Sequence, residues 1–137
     1  MSGIIGGAGS KSGVIGETEL DYEEGDWTVT SVSGGNVTSN SAKYIKIGKM
    51  VMINAYIDIT SASGSSQQLG GLPYTPTSGI YSMITAYARN DQGLVCRISP
   101  SSTTMYVFND DTSAITYILG DDLNGSYFML SGTYQAA

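Results

Sequence analysis

Residues 50–59 alternate without a break: Met50-Val51-Met52-Ile53-Asn54-Ala55-Tyr56-Ile57-Asp58-Ile59. Val51, Ile53, Ala55, Ile57 and Ile59 fall on one face of an extended chain, and Met52, Asn54, Tyr56 and Asp58 fall on the other. A helix would scatter both sets around its circumference, so the run is a strand with one buried face. Lys43-Tyr44-Ile45-Lys46-Ile47 precedes it, and Gly48-Lys49 joins the two. A two-residue link with glycine in first place predicts a type II′ hairpin.

A half-buried strand needs a sheet around it, and the rest of the chain supplies one. Strand-like runs are expected at 27–32, 80–88, 93–99, 104–109, 114–119 and 126–133. Turn-forming clusters separate them, among them Asn90-Asp91-Gln92-Gly93 and Asp121-Asp122-Leu123-Asn124-Gly125. No convincing amphipathic helix follows Trp27, and residues 60–79 read mostly as loop. Eight or so short strands at this spacing predict an all-β fold, an antiparallel jelly-roll-like sandwich. Ser and Thr together supply 32 of the 137 residues, which suits strands, turns and hydroxyl-rich surfaces.

The first 16 residues differ in kind. They hold six glycines and a near-repeat, Ser2-Gly3-Ile4-Ile5-Gly6 and Ser12-Gly13-Val14-Ile15-Gly16. The expected organisation is an extended Gly-rich docking arm with an acidic lead-in over 1–24, then a β-sandwich knob over 25–137. Ile4, Ile5, Val14 and Ile15 are the candidate anchors of the arm on another protein, because aliphatic pairs flanked by glycine can fill small pockets. Gly6-Gly7-Ala8-Gly9-Ser10-Lys11-Ser12 is not a phosphate loop, since Ser10 stands where glycine must precede the lysine. Trp27 is the expected first anchor of the body, in the core or at an interface.

Charge and residue usage exclude several functions. Charged residues make up only 13% of the chain, and the net charge is −6. Low charge suggests surface covered by partner chains. Six of the twelve acids lie between Glu17 and Asp26, and the few basic residues are too scattered to neutralise a row of phosphates, so no nucleic acid partner is expected. The chain has no histidine, the commonest general base and metal ligand. Neither a catalytic set nor a metal or other cofactor is expected, although aspartates at loop tips offer oxygen ligands. Cys96 is the single cysteine, so no disulfide can form within the chain. It alternates with Leu94 and Ile98, which predicts a buried thiol, and the sharper alternative is an interchain disulfide to a partner. No apolar run is long enough to span a membrane, and no secretory signal is evident, so synthesis in a cytoplasm without membrane insertion is expected.

Three stretches carry a family resemblance: Tyr22-Glu23-Glu24-Gly25-Asp26-Trp27-Thr28, Lys43-Tyr44-Ile45-Lys46-Ile47-Gly48-Lys49-Met50-Val51, and Leu72-Pro73-Tyr74. In order and spacing the chain resembles the small β-sandwich modules at the C-terminal ends of bacteriophage tail fibres and related virion surface proteins. The match covers about residues 18–134. It departs from many relatives at Val29, where they have proline. It also lacks the long shaft that usually precedes the module, since only about 20 residues stand before it.

The resemblance implies a homotrimer on the outside of a phage particle. The function expected from it is a tail fibre or fibre tip, docked to the tail or baseplate through its arm and presenting a knob to host surface glycans. Loop tips bearing Tyr, Ser, Thr and Asn would then contact the sugar. A trimeric capsid decoration protein, cementing the head, is the alternative. A free carbohydrate-binding module is the third reading.

Overall fold

The computed structural model describes residues 21–61, 63–89, 91–109 and 116–137. Within them are ten strands: β1 (Tyr22–Asp26), β2 (Thr30–Ser33), β3 (Asn36–Ile47), β4 (Met50–Thr60), β5 (Gln68–Gly70), β6 (Ser82–Ala88), β7 (Asp91–Ile98), β8 (Met105–Asn109), β9 (Thr116–Tyr117) and β10 (Ser126–Gln135). A single 3-10 turn, Gly120–Leu123, precedes β10. All strand pairs are antiparallel and belong to one sheet in the order β1-β3-β4-β10-β6-β7-β8-β5-β2, with β9 added beside β8. The expected all-β, jelly-roll-like architecture is observed.

The strand order forces the sheet to curl. β1 and β2 stand at opposite ends of a nine-strand path, yet only Trp27, Thr28 and Val29 separate them in the chain. Laid flat, the two ends would lie about 38 Å apart at 4.8 Å per strand. The link from Asp26 to Thr30 reaches at most about 14 Å. The sheet therefore wraps around, and its concave side becomes the core.

That concave side holds the predicted apolar set of β4. Val51, Ile53, Ile57 and Ile59 are fully buried and Ala55 nearly so. Phe128, Leu130 and Tyr134 of β10 face them through the register Phe128↔Ile57, Leu130↔Ala55 and Tyr134↔Val51. Ile84, Leu94, Cys96, Ile98, Met105, Val107 and Leu69 close the other side of the same cluster. Trp27 and Val29 are also buried, so the link that joins the two ends of the sheet also fills the space between them.

Several elements depart from expectation. The run at 27–32 is not a single strand, because its first three residues form the link and β2 starts at Thr30. The acidic lead-in, read as part of the arm, is instead strand β1, paired Tyr22↔Ile47 through Asp26↔Lys43. The boundary expected between 24 and 25 thus falls inside a strand. Residues 1–20, including Ile4, Ile5, Val14 and Ile15, lie outside the described residues. β3 begins seven residues before the predicted Lys43, taking in the polar stretch from Asn36. A one-residue bulge between Ser39 and Ser41 resets its alternation, so that Val37 and Ala42 both lie opposite inward residues of β4. Within the expected loop at 60–79 lies the short strand β5. Gly48 has φ 57°, as the first position of the predicted type II′ turn requires.

Gly132 of β10 lies close against Ile84 of β6. A Cβ there would lie 2.5 Å from Ile84 Cγ2 and 2.7 Å from Ile84 Cβ. Gly132→Ala should therefore destabilise the fold by about 1–3 kcal/mol through overpacking. Urea denaturation checks this, and an unchanged midpoint would contradict the close packing.

Candidate functional site

The three stretches that carry the family resemblance converge in space. Glu23 on β1 accepts hydrogen bonds from the Tyr44 hydroxyl at 2.8 Å and from the Tyr74 hydroxyl. Lys46 pairs with Asp21 and lies 5.4 Å from the centre of the Tyr74 ring. Tyr44 and Tyr74 meet edge to face at 5.6 Å. Gly25 sits opposite Tyr44 in the ladder, and a Cβ at Gly25 would come within 3.0 Å of the Tyr44 ring. The glycine makes room for that ring to lie across the edge strand. Trp27 Nε1 donates to the Lys43 carbonyl at 3.2 Å, and its backbone N–H donates to the Ala42 carbonyl at 3.1 Å.

Tyr134, buried at the end of β10, secures the third stretch. Its hydroxyl donates to the Tyr74 carbonyl at 2.9 Å and accepts the Tyr74 N–H at 3.1 Å. Burial pushes the Tyr134 phenol up to about 12, against the lowering effect of its bond to the Tyr74 backbone. The motif residues therefore lock the sheet edge and the Leu72–Tyr74 step onto the body.

The surface available to a ligand or partner lies on the convex side, where register builds alternating rows. Met129 of β10 stands opposite both Tyr56 of β4 and Tyr87 of β6. One step along, Ser131 stands opposite Asn54 and Thr85, and Lys43 of β3 is opposite Asn54. A row of bulky side chains beside a row of small ones leaves a groove of about 430 Å³, walled by Tyr56, Tyr87 and Met129. Tyr127 extends the wall, stacking on Tyr56 at 5.8 Å and tilting against Tyr87 at 6.3 Å. Met50, Met52 and Met83 are also exposed. Lys43 is charge-paired with Asp26.

A second aromatic group occupies the convex side of β7, β8 and β9. The Arg97 guanidinium carbon lies 5.3 Å from the Tyr81 ring centre, 5.5 Å from that of Tyr106 and 5.0 Å from that of Phe108. Tyr117 packs on Phe108 at 4.6 Å and beside Tyr106 at 5.4 Å.

The other sequence candidates fare differently. Cys96 is completely buried, and burial pushes its thiol well up. The interchain-disulfide reading is thereby left without an accessible sulfur. Asp122 accepts the Leu119 N–H at 3.2 Å and so acts within its own turn. Residues 110–115 lie outside the described residues. No group of three or more His, Cys, Asp or Glu side chains suited to a metal ion occurs among the described residues. A combination of Tyr, Ser, Thr and Asn also lines the groove on the strand face. Sequence reading missed this groove, because it depends on which residues of β4, β10 and β6 stand side by side. The outward alternations Met52-Asn54-Tyr56 and Tyr127-Met129-Ser131-Thr133 were the local signals.

No known protein family, curated protein or solved structure matches the chain.

Two outcomes follow from the edge lock. Tyr134→Phe removes both bonds to Tyr74 and should cost about 1–3 kcal/mol, measured by urea denaturation. Glu23 is held below its ordinary 4.5 chiefly by the hydrogen bonds from Tyr74 and Tyr44. A carboxylate with a lowered value contributes stability above 4.5 and loses it as pH falls through the lower folded value. Thermal melts from neutral to acidic pH should therefore decline less steeply for Glu23→Gln than for the parent chain. Parallel declines would remove Glu23 from the lock.

Proposed function

We propose that the chain is a bacteriophage virion structural protein. It is a trimeric tail-fibre or fibre-tip knob, docked to the tail or baseplate through the segment preceding β1, with its β-body turned toward the host surface. Support for the family comes from the residues of the resemblance, which meet in one mutually bonded cluster around Glu23, Tyr44 and Tyr74. A motif whose members touch is explained by a shared fold better than by chance spacing.

The observation that carries the assembly is the convex face of β4, β10 and β6. Met52, Tyr56, Met83, Tyr87 and Met129 are all at least 39% exposed there. Met and Tyr are enriched at subunit contacts and depleted of competition from charge at their centres. Exposed Met and Tyr side chains gathered on one face, on either side of a small polar row, mark an interaction site rather than a surface adapted to water. Its occupant is assigned as a second copy of the chain. Electrostatics supports that choice: Glu23, Glu24 and Asp26 lie on β1, separated from β10 by β3 and β4, or about 15 Å. Copies can therefore meet along β10 and β6 without bringing their acidic edges together. Three-fold closure gives each copy the same contact.

Light scattering on the full chain should give three subunits per particle, and a clean monomer at micromolar concentration would overturn the proposal. Met129→Asp places a charge at the centre of the face and should yield a folded monomer with an unchanged β-sheet circular dichroism spectrum. A variant that remains trimeric would move the interface elsewhere. Densitometry on purified particles addresses position: a low copy number supports a tail fibre. A count on the scale of the shell's own subunits would overturn it in favour of capsid decoration.

A further inference from the structure

We propose that Arg97, set among Tyr81, Tyr106, Phe108 and Tyr117, binds the carboxylate of an acidic saccharide, a uronic or ulosonic acid residue. The inference rests on the virion reading only for where such a sugar would be met.

Arg97 stands on the convex side of β7, opposite Met83 of β6 and Tyr106 of β8. Three aromatic rings surround its guanidinium at 5.0 to 5.5 Å. Rings hold a guanidinium through cation–π attraction but leave its N–H fork without lone pairs in the fork's plane. Arg97 Nε is buried and has no hydrogen-bond partner. Neither of the ion pairs among the described residues, Lys43–Asp26 and Lys46–Asp21, involves Arg97.

The plain alternative is an arginine whose stem and head merely cover aromatic surface. That role needs no orphaned donor: Met or Lys would cover the rings without leaving a buried N–H unsatisfied, at a cost of ~1–3 kcal/mol. An incoming carboxylate would instead find a guanidinium already held in place by three rings, and it would reach the covered Nε–H once a flanking ring swings aside. Pre-organisation lowers the entropy lost on binding, and the charge-assisted pair is among the stronger hydrogen bonds.

The neighbours indicate that the ligand is more than an anion. Tyr81 is 61% exposed and Tyr117 46%. Exposed tyrosines offer a ring face for the C–H side of a pyranose and a hydroxyl for its own hydroxyls. Phosphate would use the charge and leave both rings idle.

Titration of the full chain with glucuronic acid and with N-acetylneuraminic acid, followed by NMR, tests this. Saturable binding of at least one is expected, about tenfold or more tighter than acetate or N-acetylglucosamine. Arg97→Met should weaken it at least tenfold, and Tyr81→Ala severalfold with an unchanged melting curve. If Arg97→Met does not fold, Arg97→Lys decides, since it keeps the charge and loses the fork; it should also bind severalfold more weakly. No saturation with either acid, equal binding of acetate or of the neutral sugar, or unchanged affinity in the arginine variants would overturn the site. These outcomes are independent of assembly. A trimer that binds neither acid loses the site and keeps the virion reading, whereas a clean monomer that binds acidic sugar keeps the site and loses that reading.

Discussion

Three residues hold the architecture in its shape. Trp27, Thr28 and Val29 connect the two ends of a nine-strand path, and their reach is shorter than the width of a flat sheet by a factor of two to three. Curling follows from covalent geometry before any side chain is considered. The buried side chains of the link then make the curled state favourable, because Trp27 and Val29 supply apolar volume at the place where the ends approach. The edge lock acts on the same region. Glu23, Tyr44, Tyr74 and Tyr134 join β1, β3, the Leu72–Tyr74 step and β10, so the start of the sheet is tied to its middle.

Curling also divides the chemistry of the surface. The concave side takes every second residue of the long strands and becomes predominantly apolar, with Gln67 and Ser126 the buried polar residues among those described. The convex side takes the others, where composition is free to vary from row to row. On β4 and β10 it varies into a Met and Tyr wall beside a Ser, Thr and Asn floor. On β7 and β8 it varies into an aromatic group around one arginine. One half of the convex side thus presents apolar contact area and the other a held charge.

The inward half of this plan was legible in the sequence, and the outward half was not. Alternation over Met50–Thr60 is a local property, and so is glycine in a two-residue turn. β1 was missed because Glu23, Glu24, Gly25 and Asp26 are poor strand formers; they suit an edge strand, where charge discourages further pairing and Gly25 admits the Tyr44 ring. The polar half of β3 was missed because its inward residues change parity at the bulge. The groove depends on register between segments far apart in the chain, such as Tyr56 with Met129, and the Arg97 group on the register of three successive strands, which brings Arg97 to Tyr106 and Phe108. Alternation within one strand does not fix which side chains stand together across strands.

β10 is the last strand described, yet it stands between β4 and β6 in the middle of the sheet. During synthesis, β4 and β6 have no common neighbour until residues 126–135 leave the ribosome. Until then each carries an open edge and an uncovered apolar face. Chains emerge at about 5–20 residues per second, so the exposed interval lasts for seconds, and non-local pairing of this kind is slow in itself. Chaperone binding to the nascent chain would be most useful in that interval, and a chain cut short before β10 would be a substrate for proteolysis rather than a smaller version of the fold.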